Sequence, residues 1–138
     1  MAEPVFVDTS NLPTENRSVD GRTVVDWWTL FGGGPGATTG ETSGIVMGIA
    51  EIPVDAHRPA RGHSHPHSEV YVILAGSAEV HVDGHPARTI GVGEAVWIPA
   101  GVEHVALNAS ATEPLRLLYA FGGVDRFADI EYTFPPGA

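Results

Sequence analysis

Apolar and polar residues alternate along this chain in short runs, and each run is closed by glycine, proline or aspartate. That period of two marks strands with one buried face, and the punctuation marks turns. The pattern predicts strands over Val5–Val7, Thr23–Phe31, Gly44–Ile52, Val70–Ala75, Ala78–Val82, Ala95–Ile98, His104–Asn108, Leu115–Phe121 and Ile130–Phe134. A tight turn is expected at Asp83-Gly84, another junction at Gly76, and a strand end at Ile98-Pro-Ala-Gly101, where glycine tolerates positive φ. The only helical signal is a single turn near Val124–Ala128. The predicted class is all-β, a barrel or sandwich.

Glycine (17) and proline (11) are spread between the strands rather than gathered in a linker. The 138 residues therefore read as one domain, 1–138, with its core over about 42–122. The run Phe31-Gly-Gly-Gly-Pro-Gly-Ala-Thr-Thr-Gly40 is a loop. It lacks the Lys-Ser/Thr ending and the following helix of a phosphate-binding loop.

Charge narrows the functions. Lys plus Arg is 7 and Asp plus Glu is 17, a net −10, and every basic residue is arginine. An anionic surface repels a phosphate backbone, so no nucleic-acid partner is expected. No lysine means no Schiff-base chemistry. No cysteine means no disulfide, thiolate ligand or cysteine nucleophile. No apolar run approaches the length of a membrane helix and the N-terminus has no leader pattern, so a cytoplasmic protein without membrane contact is expected. Charged residues are only 17% of the chain, which points to surface covered by a second copy in a homodimer.

The chemistry is concentrated in two stretches. The first is Gly62-His-Ser-His-Pro-His-Ser-Glu69 and the second is Gly93-Glu-Ala-Val-Trp-Ile-Pro-Ala-Gly101-Val-Glu-His104. His63 and His65 share a strand face because they are two apart. Glu69 keeps their parity, although Pro66 interrupts the segment. His67 shares that parity too and is a further candidate ligand. Imidazoles with a carboxylate suit Fe, Mn, Ni or Zn and suit Ca or Mg poorly. Four protein ligands, His63, His65, Glu69 and His104, would leave coordination positions open for substrate.

These stretches resemble the two motifs of the cupin superfamily. The first appears as His63-x-His65-x3-Glu69-x6-Gly76, with His57 where the leading glycine belongs. The second appears complete as Gly93-x5-Pro99-x-Gly101-x2-His104-x3-Asn108. The resemblance is to small single-domain bacterial cupins, including those like polyketide cyclases. It implies a conical β-barrel of two antiparallel sheets of jelly-roll type. It also implies one divalent transition metal ion held by His63, His65, Glu69 and His104.

Around that centre, Tyr71 and Ile73 continue the parity of Glu69 and are expected to line the pocket. His81, flanked by Val80 and Val82, is a candidate proton shuttle; His81 and Tyr71 are thus the candidate catalytic residues. Trp97, Val72 and Tyr119 are expected in the core. Trp27 and Trp28 must point opposite ways, and Glu103 should point away from His104. The function expected is a metal-dependent enzyme acting on a small organic molecule, the metal serving as Lewis acid in a cyclase, isomerase or lyase reaction. The alternatives are an Fe(II) dioxygenase and a non-enzymatic barrel that binds a small ligand.

Overall fold

The computed structural model describes residues 4–33 and 44–138. Most of the glycine-rich run at 31–40, and the start of the expected core at 42–43, lie outside the described residues. The strands are β1 Glu15–Val19, β2 Arg22–Phe31, β3 Ile45–Ile52, β4 Glu69–Ala75, β5 Ser77–Val82, β6 Arg88–Gly91, β7 Ala95–Ile98, β8 His104–Asn108 and β9 Leu115–Gly122. They form a six-stranded sheet in the order β1-β2-β3-β9-β4-β7 and a three-stranded sheet in the order β6-β5-β8. Every pairing is antiparallel.

Alternation sorts the side chains. On β4, Glu69, Tyr71 and Ile73 are buried while Val70 and Val72 are less so. On β9, Leu115, Leu117, Tyr119 and Phe121 are buried in the same rhythm. The inner faces of both sheets share one core, with Ile73, Leu115 and Ile98 against Ala78, Val80 and Ile90. Each such side chain contributes about 1.5–3 kcal/mol by leaving water.

Two strands escape the sequence pattern, and two predicted strands do not form. β1 and β6 are polar at most positions because each is the edge of its sheet. Val5–Val7 is irregular, with Phe6 91% exposed; β propensity without a neighbouring strand makes no ladder. Ile130–Phe134 makes one isolated bridge, Ser64 with Thr133, and no continuous ladder with a neighbouring strand. The expected helical turn is a 3₁₀ turn at Phe127–Asp129. The Asp83-Gly84 turn closes as expected, His85 N–H donating to Val82 O at 3.0 Å with Gly84 at φ 81°. Trp97 corrects the core expectation. It stands outward on the edge strand β7 and is 63% exposed.

Asn108, the last residue of the second motif, joins the two sheets. Its Nδ2 donates to Ile52 O at 3.0 Å and Glu113 O at 2.9 Å, and its Oδ1 accepts from Ser110 N at 2.8 Å. Asn108→Ala should therefore cost about 1–3 kcal/mol for each carbonyl left unpaired. Urea unfolding checks this, and a midpoint equal to the parent's would mean that the amide is not a cross-link.

Candidate metal centre

The centre is assembled by a backbone contact between the two motifs. His63 N–H donates to His104 O at 3.0 Å, and His104 N–H donates to His63 O at 2.9 Å. This exchange brings the start of the first motif against the first residue of β8. Gly62 is required beside it, because a Cβ there would stand 2.3 Å from His104 O. The chain then bends at Pro66-His67 and returns as β4 with Glu69 inward. Glu69 pairs with Ile98 and Phe121 on the neighbouring strands, deep in the larger sheet.

One donor atom from each of His63, His65, Glu69 and His104 falls within 4.8 Å of the others. His65, Glu69 and His104 are buried and His63 is nearly so. His65 Nε2 lies 3.2 Å and His104 Nε2 3.0 Å from Glu69 Oε1. The opposite ring nitrogens are anchored to carbonyls, His65 Nδ1 to His67 O at 2.7 Å and His104 Nδ1 to Val102 O at 2.8 Å.

Those anchors decide the chemistry of the donor set. A carbonyl only accepts, so both Nδ1 atoms carry the hydrogen. In the neutral rings both Nε2 atoms are then bare and face a carboxylate oxygen. Lone pairs meeting in a buried space need a cation between them. Two imidazolium ions would place two positive charges against one carboxylate away from water, which burial opposes. A divalent cation satisfies all the donors at once, and the carbonyl anchors are the outer contacts that orient metal-binding histidines. The residues therefore fit a metal of the Fe, Mn, Ni or Zn class.

Electrostatics agrees. Burial, then the nearby His104, pushes His63 down from 6.5 to about 3, leaving it a neutral donor. Burial by itself would raise Glu69, but without a metal, hydrogen bonds from His104 and His65, which those rings can donate only when Nε2 is also protonated, outweigh it and hold the carboxyl below its ordinary value.

Two of the four donors, His63 and Glu69, line a cavity of about 340 Å³ with a mostly apolar wall. Tyr71, two residues past Glu69, lines it, as do Trp27, Tyr119 and Phe121. Burial, then the Glu69 carboxylate, raises the Tyr71 phenol well above its ordinary range. Ile73 is buried in the core but lies outside that lining. The segment after β9 supplies the outer wall with Phe127, Tyr132 and Phe134. Tyr132 and Phe134 place their rings 5.4 and 5.6 Å from His63.

Several sequence candidates sit elsewhere. The expectation that His81 reaches the cavity is corrected. Its side chain is 44% exposed and its Nε2 bonds Glu79 Oε1 at 2.5 Å. The β5 residues that face the core are Ala78 and Val80, with Val82 packed against it. His67 is outside the donor cluster and contributes its carbonyl instead. Glu103 turns to Arg61, accepting at 2.5 and 3.3 Å. Trp27 turns into the cavity, whereas Trp28 Nε1 donates to Thr14 Oγ1 at 2.9 Å. The aromatic outer wall was missed because Phe127, Tyr132 and Phe134 lie in a segment without strand periodicity. Their spacing carried no signal.

Residues 48–121 match the Cupin domain family. The chain is a cupin. Over 136 residues it is 35% identical to dimethylsulfoniopropionate lyase DddW of Ruegeria pomeroyi, covering 98% of this chain and 82% of that protein. It is 39% identical over 105 residues to dimethylsulfoniopropionate lyase DddQ of the same organism, and the match spans 76% of this cupin and only 48% of DddQ. The crystal structure of DddQ superposes with a TM-score of 0.70 at 24% identity, covering 93% of this chain and 63% of that one. The polyketide cyclase RemF of Streptomyces resistomycificus superposes with a TM-score of 0.69 at 19% identity, covering 96% and 87%. At such identities the superpositions show the fold alone. Among the described residues, no helix of the cupin is long and apolar enough to cross a membrane.

Two outcomes are expected. His65→Ala and His104→Ala should each lose most bound metal by inductively coupled plasma mass spectrometry while keeping the β signature in circular dichroism. Retention of the parent's metal content would remove these residues from the ligand set. The second concerns acid. Above about 6.5 His63 is neutral whether folded or unfolded, and stability is full. Below it the unfolded ring takes a proton that the folded ring refuses until about 3, so metal-free stability should fall across that window. The depressed Glu69 acts in the same direction below 4.5. The slope is at most about 1.4 kcal/mol per pH unit and per group. Urea midpoints between pH 7.5 and 4 measure it, and His63→Gln should flatten the upper part.

Proposed function

We propose that this cupin is a metal-dependent lyase acting on dimethylsulfoniopropionate or a close relative of it. One observation carries the reading. A buried phenol, Tyr71, lines the same apolar cavity as His63 and Glu69, two members of the donor cluster that His65 and His104 complete. The identity to DddW across nearly the whole chain supports it.

The reaction is an elimination. A base removes the proton next to the carboxylate, the carbon–sulfur bond breaks, and dimethyl sulfide leaves an acrylate behind. A divalent ion held by the four donors would act as a Lewis acid, stabilising negative charge that develops on the substrate's oxygens.

The protein's own groups do the rest. Tyr71 is the proton acceptor, two residues along β4 from Glu69 and on the same face of the strand. Its phenol is held protonated by burial and by the Glu69 charge. To take the substrate's proton the phenol must first release its own to solvent, which requires that this negative charge be offset by a cation. Tyr119 is its cross-strand neighbour and adds to the wall. The hydroxyl of Tyr119 sits 3.2 Å from Thr29 Oγ1, which donates in turn to Glu15 Oε2 at 3.1 Å. Gly48 makes room for that hydroxyl, since a Cβ there would lie 2.4 Å from it. The aromatic wall excludes water and leaves a soft surface for a sulfonium group.

Protein loaded in turn with Fe, Mn, Ni or Zn should release dimethyl sulfide from dimethylsulfoniopropionate, read by headspace gas chromatography. Tyr71→Phe should lower turnover by about 100-fold or more with metal content unchanged. His81→Ala should stay near the parent. No release with any of the four metals would end the lyase reading. A fully active Tyr71→Phe would remove Tyr71 from the proton step.

A further inference from the structure

Behind the aromatic wall of the cavity sits a carboxyl group that the proposed elimination does not use. Glu15 is the first residue of β1 and pairs with Trp27 of β2. It is half-buried and lies outside the cavity lining. Burial raises its carboxyl above the ordinary value, and the Thr29 hydroxyl and the Trp27 indole N–H work against that rise. No side-chain cation offsets the charge. All seven arginines and all seven histidines are among the described residues, and none forms an ion pair with Glu15. Arg17, two residues on, donates to Ala138 O and stacks on Phe134 beside His63. It thus sits by the metal donors, and Glu15 by Trp27. A carboxylate drawn from water without a positive partner is a cost that a bound cation would offset.

Two rings of the lining have their polar ends tied to this carboxylate. Thr29 Oγ1 donates to Glu15 Oε2 at 3.1 Å. A hydroxyl has one hydrogen, so in the 3.2 Å contact between Thr29 Oγ1 and Tyr119 Oη the phenol is the donor. Its hydrogen points to Thr29, which is buried and outside the lining, and the phenol offers no donor to a ligand. Burial first, then the Glu15 and Glu69 charges, raise the Tyr119 phenol, with the Thr29 hydrogen bond opposing; the Glu15 field therefore reaches the cavity wall. The Trp27 Nε1–H is buried without a well-formed hydrogen bond and acts on the same carboxyl. Phe127 stacks on Trp27 with centroids 6.0 Å apart, and Trp27, Tyr119 and Phe127 all line the cavity. An O–H or N–H directed at an anion pushes electron density onto its ring, and the face of such a ring attracts a cation.

We propose that Glu15, lying behind Trp27 and Tyr119, is the specificity-determining counter-charge of this cavity and selects ligands that carry a fixed positive charge, an onium group. The onium end sits against the rings of Trp27, Tyr119 and Phe127, and the ligand's oxygens remain free for the metal donors. Glu15 acts through the wall and touches neither the ligand nor the metal. The inference rests on the proposed function's reading of this cavity as the ligand site, and it does not depend on the elimination.

The test uses binding rather than turnover. Zn-loaded protein is titrated by calorimetry with 3-(trimethylammonio)propionate and with 4,4-dimethylpentanoate. The two acids share one shape and one carboxylate and differ only in a quaternary nitrogen for a quaternary carbon, so the metal's contribution is common to both. The parent should bind the onium acid more tightly. Glu15→Gln should weaken onium-acid binding about tenfold or more and leave the carbon acid unchanged. Glu15→Asp, which keeps the charge, should retain part of the preference. An unchanged ratio of the two affinities in Glu15→Gln overturns the proposal. So does equal weakening of both acids with a lowered melting temperature, which would make Glu15 only a brace for Thr29 and Trp27. A parent that binds the carbon acid as tightly as the onium acid, or binds neither, overturns it as well. Failure to release dimethyl sulfide would sink the lyase reading alone, because the charge preference is read without catalysis.

Discussion

The reciprocal hydrogen bonds between His63 and His104 are the contact on which the site depends. They join segments separated by 41 residues of chain and fix the backbone of two donors before any side chain is considered. Gly62 permits the approach because no Cβ stands in the way. Once the backbones are locked, the two carbonyl anchors, His67 O and Val102 O, set the ring orientations. The Nε2 lone pairs then have only one direction to face. The centre is therefore a property of main-chain geometry as much as of four side chains.

That geometry explains how a stable core tolerates three imidazoles and a carboxylate. Buried polar groups are costly when unmatched and acceptable when every atom has a partner. Here the Nδ1 atoms are matched by carbonyls and the Nε2 atoms converge on Glu69. The remaining mismatch is positive charge, which a bound cation supplies. The rest of the barrel wall is apolar, and Asn108 ties the two sheets together independently of the site. Fold and metal centre are thus separable energetically, while the cavity between them depends on both.

The cavity shows the division of labour between the sheets and the segment after β9. The larger sheet gives Trp27, Tyr71, Tyr119 and Phe121 from its inner face. The irregular segment adds Phe127, Tyr132 and Phe134 and covers the donors from outside. β1, at the sheet edge, contributes Arg17. Two metal-donor residues, a buried phenol and a guanidinium bonded to Ala138 O then line one cavity. The edge strand and the aperiodic segment are also where sequence periodicity is weakest. Edge strands need no apolar alternation to be stable, and a segment that closes a cavity takes its shape from what it covers.

Seven of the nine strands, the turn at Asp83-Gly84 and the four donors follow from local rules: period-two alternation, turn residues, and the two motifs with their spacing. Those rules act over a few residues, so they are written in the residues themselves. The facing of His81, the exposure of Trp97, the aromatic outer wall and the placement of Arg17 were decided only in three dimensions. His81 and Trp97 look like inward residues until the sheet's curvature and edge position are known. Arg17 reaches the lining only because β1 pairs with β2 and turns that side chain into the cavity. Periodicity tells which residues share a face; which face looks inward, and across what distance, is settled by the packing of one sheet against the other.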